Sequence, residues 1–203
     1  MIKTIIFDFG NVFINLNIEA AHKHALETFE IESLSDEMLG FNSFYEQGLI
    51  STDEFLQFYT ENFPKLSKEG LINLWNLMLK DFPKQRLEFL KELKSSSKYK
   101  LILLSNTNEL HINYIKEHVS FYEDFKNCFD AFYLSHEINL VKPNEDIFEF
   151  VLNENKLKTK ECLFIDDNKD NIETAKRLNI KTWHINPENE DIVNLFETKK
   201  NLF

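Results

Sequence analysis

Five short apolar runs, each followed by polar turn residues, constrain the fold of this chain more than any other feature. They span residues 4–7, 101–104, 131–134, 162–165 and 181–184. Helical spacing of apolar residues separates them, for example over 89–93, 147–152 and 172–178. Continuous apolar strands that alternate with helices are typical of a parallel sheet covered on both faces. The sequence therefore predicts an α/β fold.

The stretch from residue 17 to residue 83 breaks this alternation. It contains several amphipathic helical patterns and no strand pattern. Ser51 followed by Glu54, just before Phe55, is a capping-box pattern that predicts the start of a helix, while Pro64 and Pro83 are expected to end or separate others. We therefore expect a helical cap domain (17–83) inserted after the first strand of a Rossmann-like parallel sheet core (1–16 and 84–203).

Composition narrows the classes of function. The length of 203 residues suits one core with a small appended domain. The net charge of −11 argues against nucleic acid as a partner, because binding to phosphate backbones needs a clustered positive surface. No apolar run approaches the ~20 residues of a membrane span, and Cys128 and Cys162 form no paired motif. We expect a cytoplasmic monomer or homodimer without a membrane partner.

Polar residues follow four of the predicted strands. They are Asp8 after the first strand, Ser105 and Asn106 after the second, Lys142 beyond the third, and Asp166 and Asp167 after the fourth. Ligands of open parallel sheets bind at the carboxyl ends of the strands, so we expect these side chains to converge. Phosphoryl transfer needs a nucleophile, a cation and donors to the phosphoryl oxygens. Asp8 and Asp167, with a backbone carbonyl, offer the oxygen ligands that Mg²⁺ prefers.

The same residues carry a resemblance to the haloacid-dehalogenase superfamily that covers most of the chain. Four motifs occur in the order of that family: Asp8 in FDFGNV, Ser105 in LLSNT, Lys142 in VKPN, and Asp166 with Asp167 in FIDDNKDN. The helical stretch is similar to the family's inserted cap. It also resembles a recurrent sequence pattern of that cap at four positions, Gly48, Ile50, Ser51 and Phe55.

The resemblance implies a Mg²⁺-dependent phosphatase that acts on a small phosphorylated molecule. It implies that Asp8 attacks phosphorus and forms an aspartyl-phosphate, while Ser105 and Lys142 hold the phosphoryl oxygens. Lys142 would also pair with the acidic loop. The implied Mg²⁺ ligands are Asp8, Asp167 and the carbonyl oxygen of Gly10, supported by Asp166, Asp170 and Asn171. The expected substrate contacts are Gly10, Asn11, Ser105, Asn106 and Lys142.

Gly10 departs from the family pattern. Typical phosphatases of the superfamily carry a second aspartate at this position, which protonates the leaving oxygen and later activates water. Glycine keeps the carbonyl but lacks this acid/base group, whose contribution is typically ~10²- to 10⁴-fold in rate. The resulting DxGNV variant resembles that of a bacterial α-glucose-1-phosphate phosphatase. We therefore predict that sugar or acyl phosphates are preferred to simple alkyl phosphates.

A dehalogenase is the first alternative, because that branch of the superfamily also uses an aspartate nucleophile and also lacks the second aspartate. It would not need Mg²⁺. The acidic pair Asp166 and Asp167 suits a cation, which argues against a dehalogenase. Dependence on Mg²⁺ would separate the two functions.

Two further alternatives are not enzymes of this kind. A receiver-like signalling domain also groups acids, a hydroxyl and a lysine around Mg²⁺, but its phosphoacceptor lies on a later strand and it lacks a long insertion after the first. A non-catalytic phosphate-binding module derived from a phosphatase would explain Gly10. The joint retention of Asp8, Ser105, Lys142 and Asp167 argues against it.

Local structural roles are the remaining alternative for single residues. Ser105 and Asn106 could cap a helix that begins near Thr107, and Lys142 could be a solvated loop residue. The six histidines show no metal-binding spacing, so we expect them to be structural or solvent-exposed. None of these readings explains why the polar residues share one edge of one sheet.

Overall fold

The computed structural model describes all 203 residues, Met1–Phe203, and contains one five-stranded sheet. Its strands are β1 (Thr4–Phe7), β2 (Lys100–Ser105), β3 (Ala131–Leu134), β4 (Cys162–Asp166) and β5 (Lys181–His184). All neighbouring pairs are parallel, in the order β3-β2-β1-β4-β5. The predicted α/β class with a Rossmann-like core is confirmed. Because β1 is central, the residues after β1, β2 and β4 meet at adjacent positions of the carboxyl edge.

Helices fill the connections between the strands. They are α1 (Ile18–Phe29), α2 (Asp36–Glu46), α3 (Thr52–Asn62), α4 (Lys68–Asn76), α5 (Lys84–Ser95), α6 (Glu109–His118), α7 (Tyr122–Asn127), α8 (Ser135–Ile138), α9 (Glu145–Glu154), α10 (Lys169–Arg177) and α11 (Leu195–Thr198). Short 3₁₀ turns span Thr159–Glu161, Ile192–Asn194 and Lys200–Leu202. None of the helices is long and apolar enough to cross a lipid bilayer.

The central strand explains why the apolar runs are continuous rather than alternating. Every residue of β1 is buried, with Ile5 and Phe7 packed into the apolar cluster on one face of the sheet and Ile6 into the cluster on the other. The first of these clusters is rich in phenylalanine, with the rings of Phe13 and Phe125 5.0 Å apart. Helices therefore cover both faces of the sheet, and only its edges are open to ligands.

Helices α1–α4 enclose a third apolar cluster, to which Leu110 of α6 also belongs. Phe55, Tyr59 and Leu71 are its most buried members, each at most 1% exposed. The capping box predicted at Ser51 is present, because its hydroxyl accepts from the Glu54 amide and its own amide donates to Glu54 Oε2 at 2.7 Å. We call residues 17–83 the helical insertion.

The two chain segments that join the helical insertion to the sheet lie side by side. Leu16 and Leu79 form an isolated antiparallel bridge, and the Asn15 amide donates to the Asp81 carbonyl at 2.9 Å. Arg86 Nη1 donates to Asn15 Oδ1 at 2.8 Å and so ties this junction to α5. The chain therefore leaves and rejoins the core at neighbouring points.

A second contact joins the insertion to the core beyond β3. Ser135 Oγ donates to the Glu46 carbonyl at 2.6 Å, and Asn139 Nδ2 donates to the Gly48 carbonyl at 3.2 Å. Gly48 has a φ of +67°, and a Cβ there would lie 2.0 Å from the His136 carbonyl oxygen. Only glycine permits both this backbone conformation and this approach.

Replacing Gly48 with alanine should therefore destabilise the protein by at least about 2 kcal/mol, since a left-handed conformation alone costs about 1–2 kcal/mol and the backbone clash adds to it. Gly40→Ala is the matched control, because nothing lies within 4 Å of a Cβ at that helical position. There we expect a gain of about 0.5–1 kcal/mol. Urea unfolding followed by circular dichroism measures both, and equal effects would contradict the role of Gly48.

Candidate active site

A cavity of about 710 Å³ opens at the carboxyl edge of the sheet, between the strand ends and the helical insertion. Most of the site residues predicted from the sequence line it, namely Asp8, Gly10, Ser105, Asn106, Lys142, Asp167, Asp170 and Asn171. Asp166 and Asn11 do not line it and act on the residues that do. The topology thus brings the motifs of four separate segments into one place.

Lys142 lies at the centre of the site. Its Nζ is 2.8 Å from Asp8 Oδ1 and 2.7 Å from Asp166 Oδ2, and its side chain is 1% exposed. Burial alone would lower the pKa of Lys142, but the charges of Asp166 and Asp8 outweigh it and the pKa is raised. The side chain is therefore a buried ammonium held between two carboxylates, and not a solvated loop lysine.

Asp166 is saturated with hydrogen bonds. Its Oδ2 accepts from Lys142 Nζ and, at 2.9 Å, from Asn171 Nδ2, while its Oδ1 accepts from the Asn168 amide at 2.7 Å. No part of the residue is exposed to solvent. Asp166 therefore orients Lys142 and the first turn of α10 instead of offering a free oxygen to a ligand.

Asp167 is oriented by Asn11. Asn11 Nδ2 donates to Asp167 Oδ2 at 2.8 Å, and Asn11 Oδ1 accepts from the Leu16 amide at 3.0 Å. Asn11 has a φ of +54°, a left-handed conformation that asparagine tolerates. Because both ends of its side chain are engaged, Asn11 positions Asp167, whose other carboxylate oxygen remains available.

Three carboxylates lie close together beside the cavity. One oxygen from each of Asp8, Asp166 and Asp167 lies within 4.8 Å of the others. Burial raises the pKa of Asp8, and the charges of Asp166 and Asp167 raise it further against the opposing effect of Lys142. Three carboxylates beside one ammonium leave two negative charges uncompensated, which is the charge that a divalent cation would balance.

The end of β2 contributes a hydroxyl group to the site, and the next residue fixes the backbone of Lys142 by two hydrogen bonds. Ser105 is 2% exposed and lines the cavity. Asn106 Nδ2 donates to the Lys142 carbonyl at 2.8 Å, and Asn106 Oδ1 accepts from the Lys142 amide at 2.9 Å. Helix α6 begins at Glu109 and is capped by Asn108, so neither Ser105 nor Asn106 serves as its cap.

Leu16 takes the space beside position 10. A Cβ on Gly10 would lie 2.7 Å from Leu16 Cδ1, the flexible end of that side chain. The residue two positions after Asp8 therefore faces an apolar neighbour, and no carboxyl group from this segment takes the place of an aspartate at position 10.

The side of the cavity formed by the helical insertion was not predicted from the sequence. Its lining there consists of Ile18, Glu46, Met78 and Leu79, while Leu16, Thr107 and His111 of the core line the same cavity. None of these residues belongs to a motif with a fixed spacing. Only the orientation of the insertion on the core brings them to the site.

His111 is the one histidine in the cavity wall, and both of its ring nitrogens are engaged. Asn108 Nδ2 lies 3.1 Å from Nδ1, and Nε2 lies 3.1 Å from the Trp75 carbonyl oxygen. Since an amide nitrogen donates and a carbonyl accepts, the proton is on Nε2. Burial lowers the pKa of His111 to about 4, so the ring is neutral and structural, as expected from the sequence.

The chain is similar to known proteins over most of its length. A family model described as haloacid dehalogenase-like hydrolase matches residues 2–179. A curated relative, the D-ribitol-5-phosphate phosphatase of Bacteroides thetaiotaomicron, is 29% identical over 196 residues, which cover 93% of each chain.

Two crystal structures of a HAD family enzyme from Bacteroides thetaiotaomicron are similar in fold. The magnesium complex is 32% identical, with a TM-score of 0.85, and covers 96% of this chain and 98% of that one. The wild-type complex with magnesium and inorganic phosphate is 30% identical, with a TM-score of 0.81, and covers 97% and 100%. These relatives match over nearly the full length, including the helical insertion.

Proposed function

The chain belongs to the haloacid dehalogenase-like hydrolases, and on that premise we propose that this hydrolase is a Mg²⁺-dependent phosphatase of a small phosphorylated sugar or polyol. The observation that carries the proposal is the buried ammonium of Lys142 between Asp8 and Asp166, in the wall of a cavity that Ser105 also lines. A nucleophile, a hydroxyl donor and a fixed positive charge are the groups that phosphoryl transfer uses.

Asp8 is the nucleophile in this proposal. It is the only carboxylate of the cluster that both lines the cavity and contacts Lys142. Lys142 favours the ionised form of Asp8, opposing the effect of burial on its pKa, and, with Ser105, donates to phosphoryl oxygens as their charge redistributes. Attack by a carboxylate oxygen of Asp8 on phosphorus gives an aspartyl-phosphate, which water then hydrolyses.

The donor set fits Mg²⁺. Asp8 and Asp167 each retain a carboxylate oxygen without a hydrogen-bond donor, whereas both oxygens of Asp166 are engaged. We propose that Asp8, Asp167 and the carbonyl of Gly10 hold the ion, with Asp166, Asp170 and Asn171 in support. When bound, Mg²⁺ neutralises the phosphate and the carboxylates that must approach it.

The substrate class follows from the remaining wall of the cavity. A volume of about 710 Å³ accommodates a small metabolite beyond its phosphate group. The wall of the helical insertion combines apolar side chains with one carboxyl group, Glu46, and we propose that the insertion acts as a cap that selects the leaving group. The relative that acts on D-ribitol 5-phosphate supports a sugar or polyol phosphate.

Removal of the metal should lower phosphate release by at least about 100-fold, because Lewis-acid stabilisation of phosphoryl transfer is worth several kcal/mol. The measurement is a screen of phosphorylated sugars and polyols, with phosphate release followed in EDTA and after addition of excess Mg²⁺. An unchanged rate of phosphate release in EDTA would contradict the proposal. Halide release from 2-haloacids under the same conditions would instead support the dehalogenase alternative.

A further inference from the structure

We propose that Glu46, the last residue of α2, is the proton donor and acceptor for the leaving oxygen and the attacking water, the role that Gly10 cannot fill. The inference rests on the proposed function, since it assigns a role within the same phosphatase site. It changes what Gly10 implies, because the missing acid is then supplied by the helical insertion.

The placement of Glu46 is the first observation. Glu46 is half-buried and lines the same cavity as Asp8, Gly10 and Ser105. Its carboxyl group has neither a hydrogen bond nor an ion pair with the rest of the protein, and burial is the only cause that shifts its pKa, upwards. A carboxyl group that faces a substrate cavity without a partner, and that holds its proton at higher pH than usual, suits general acid catalysis.

The backbone of Glu46 is fixed next to the loop that carries Ser105. Ser135 Oγ donates to the Glu46 carbonyl at 2.6 Å, and the same Oγ accepts from the Thr107 amide at 2.9 Å. Ser135 is completely buried, and Thr107 lies two residues after Ser105. The Ser135 hydroxyl therefore links the backbone of the helical insertion to the segment that follows Ser105, so that Glu46 is held in place before substrate binds.

Other groups in the cavity do not compete for this role. His111 is neutral and has both ring nitrogens engaged, so it has no free lone pair and no spare proton. Lys169 and Asp170 are exposed on the first turn of α10, on the metal side of the cavity. Glu46 is the titratable residue that the helical insertion contributes to the cavity wall.

The proposed reaction has two steps. An oxygen of Asp8 forms a bond to phosphorus, the bond from phosphorus to the leaving oxygen breaks with its electron pair on that oxygen, and protonated Glu46 gives it a proton to release an alcohol. In the second step, ionised Glu46 takes a proton from water while the water oxygen bonds to phosphorus. The bond between phosphorus and Asp8 breaks, the electron pair returns to Asp8, and inorganic phosphate leaves with Glu46 protonated again.

Glu46→Gln tests the inference with two substrates that differ in leaving group. On D-ribitol 5-phosphate, whose alkoxide leaves poorly, we expect turnover to fall by ~10²- to 10⁴-fold. On p-nitrophenyl phosphate the first step should fall by less than about 10-fold, because nitrophenolate leaves without a proton. Hydrolysis of the aspartyl-phosphate is slowed in the variant, so rapid mixing should show a burst of one nitrophenolate per enzyme.

Glu37→Gln is the matched control, since Glu37 lies on the same helix and is exposed. It should leave both substrates unchanged. Glu46→Asp, which retains the carboxyl group, should recover part of the loss. The thermal midpoint of Glu46→Gln should equal or exceed that of the wild type, because the Glu46 carboxyl has no partner in the protein to lose and burial raises its pKa.

The inference is overturned if Glu46→Gln slows both substrates equally without a burst, or if it leaves turnover of D-ribitol 5-phosphate within about 3-fold of the wild type, far below the usual contribution of a general acid. Asp8→Asn separates this failure from failure of the proposed function. If Asp8→Asn retained activity on both substrates, the nucleophile assignment itself would fail, whatever the result at Glu46.

Discussion

Replacing Asp8 with asparagine should abolish phosphate release while leaving the protein at least as stable as the wild type. An amide oxygen is a poor nucleophile, and loss of the nucleophile in a covalent hydrolase costs roughly 10⁴- to 10⁶-fold in turnover. The fold does not need the Asp8 charge, because Lys142 remains paired with Asp166 at 2.7 Å.

The stability half of this prediction follows from the pKa of Asp8. Burial and the charges of Asp166 and Asp167 raise that pKa in the folded protein, so folding favours the protonated carboxyl. This contribution to stability is present at low pH and is lost as pH rises through the folded-state pKa, so ionised Asp8 destabilises the metal-free fold at higher pH. An uncharged asparagine avoids that cost, a trade of stability for activity that is common at catalytic sites.

Differential scanning calorimetry in EDTA, at pH 6 and pH 8, measures the effect on stability. The gain from Asp8→Asn should be larger at the higher pH. Asp124→Asn is the control, because Asp124 pairs with Lys91 at 3.0 Å on the surface, where such pairs contribute about 0–1 kcal/mol. A midpoint well below that of the wild type, or retained phosphate release, would contradict the role given to Asp8.

Lys142→Met should have the opposite effect on stability and the same effect on activity. Removing one partner of a buried ion pair typically costs about 3–5 kcal/mol, because the remaining charges stay buried without compensation. Here two carboxylates lose their counter-charge, and Asp166 has no exposed surface at all. Phosphate release should fall by at least about 100-fold, because a fixed charge on the transferred group is lost.

Urea unfolding in EDTA compares Lys142→Met with Lys91→Met. The second variant removes the exposed partner of Asp124 and should cost less than about 1 kcal/mol. If the two variants lost equal stability, the ion pairs of Lys142 would not be the buried network described above. Together, Lys142→Met and Asp8→Asn test whether the charge of Lys142 stabilises the fold and the charge of Asp8 destabilises it.

The parts of the site that sequence could predict are those that strand topology places. Asp8, Ser105 and Asp166 each follow a buried apolar run, and parallel strands must bring such residues to one edge. The resemblance to a motif implied that Lys142 pairs with the acidic loop, and the structure shows Lys142 Nζ 2.7 Å from Asp166 and also 2.8 Å from Asp8. Short-range pattern and simple topology are sufficient for this half of the site.

The other half depends on how two packed units face each other. Glu46 ends α2 without any periodic signal, and its position in the cavity depends on the contacts of Ser135 and Gly48 across the interface. Asn11 was expected as a substrate contact, and the structure shows in addition that its side-chain amide bonds to Asp167 and to the Leu16 backbone. Side-chain hydrogen bonds of this kind depend on packing between residues far apart in the sequence, so a short sequence motif does not predict them.

The hydrogen-bonded pairing of Asn15 with Asp81 has an evolutionary consequence. The chain leaves and rejoins the core at one paired junction. The sheet can therefore accept insertions of different length and sequence between these two segments, as it can between the strands of a hairpin. The helices beyond the junction are free to diverge in length and sequence without disturbing the strand order. Lineages that keep one phosphate-handling apparatus can therefore acquire new substrates by exchanging a single contiguous segment.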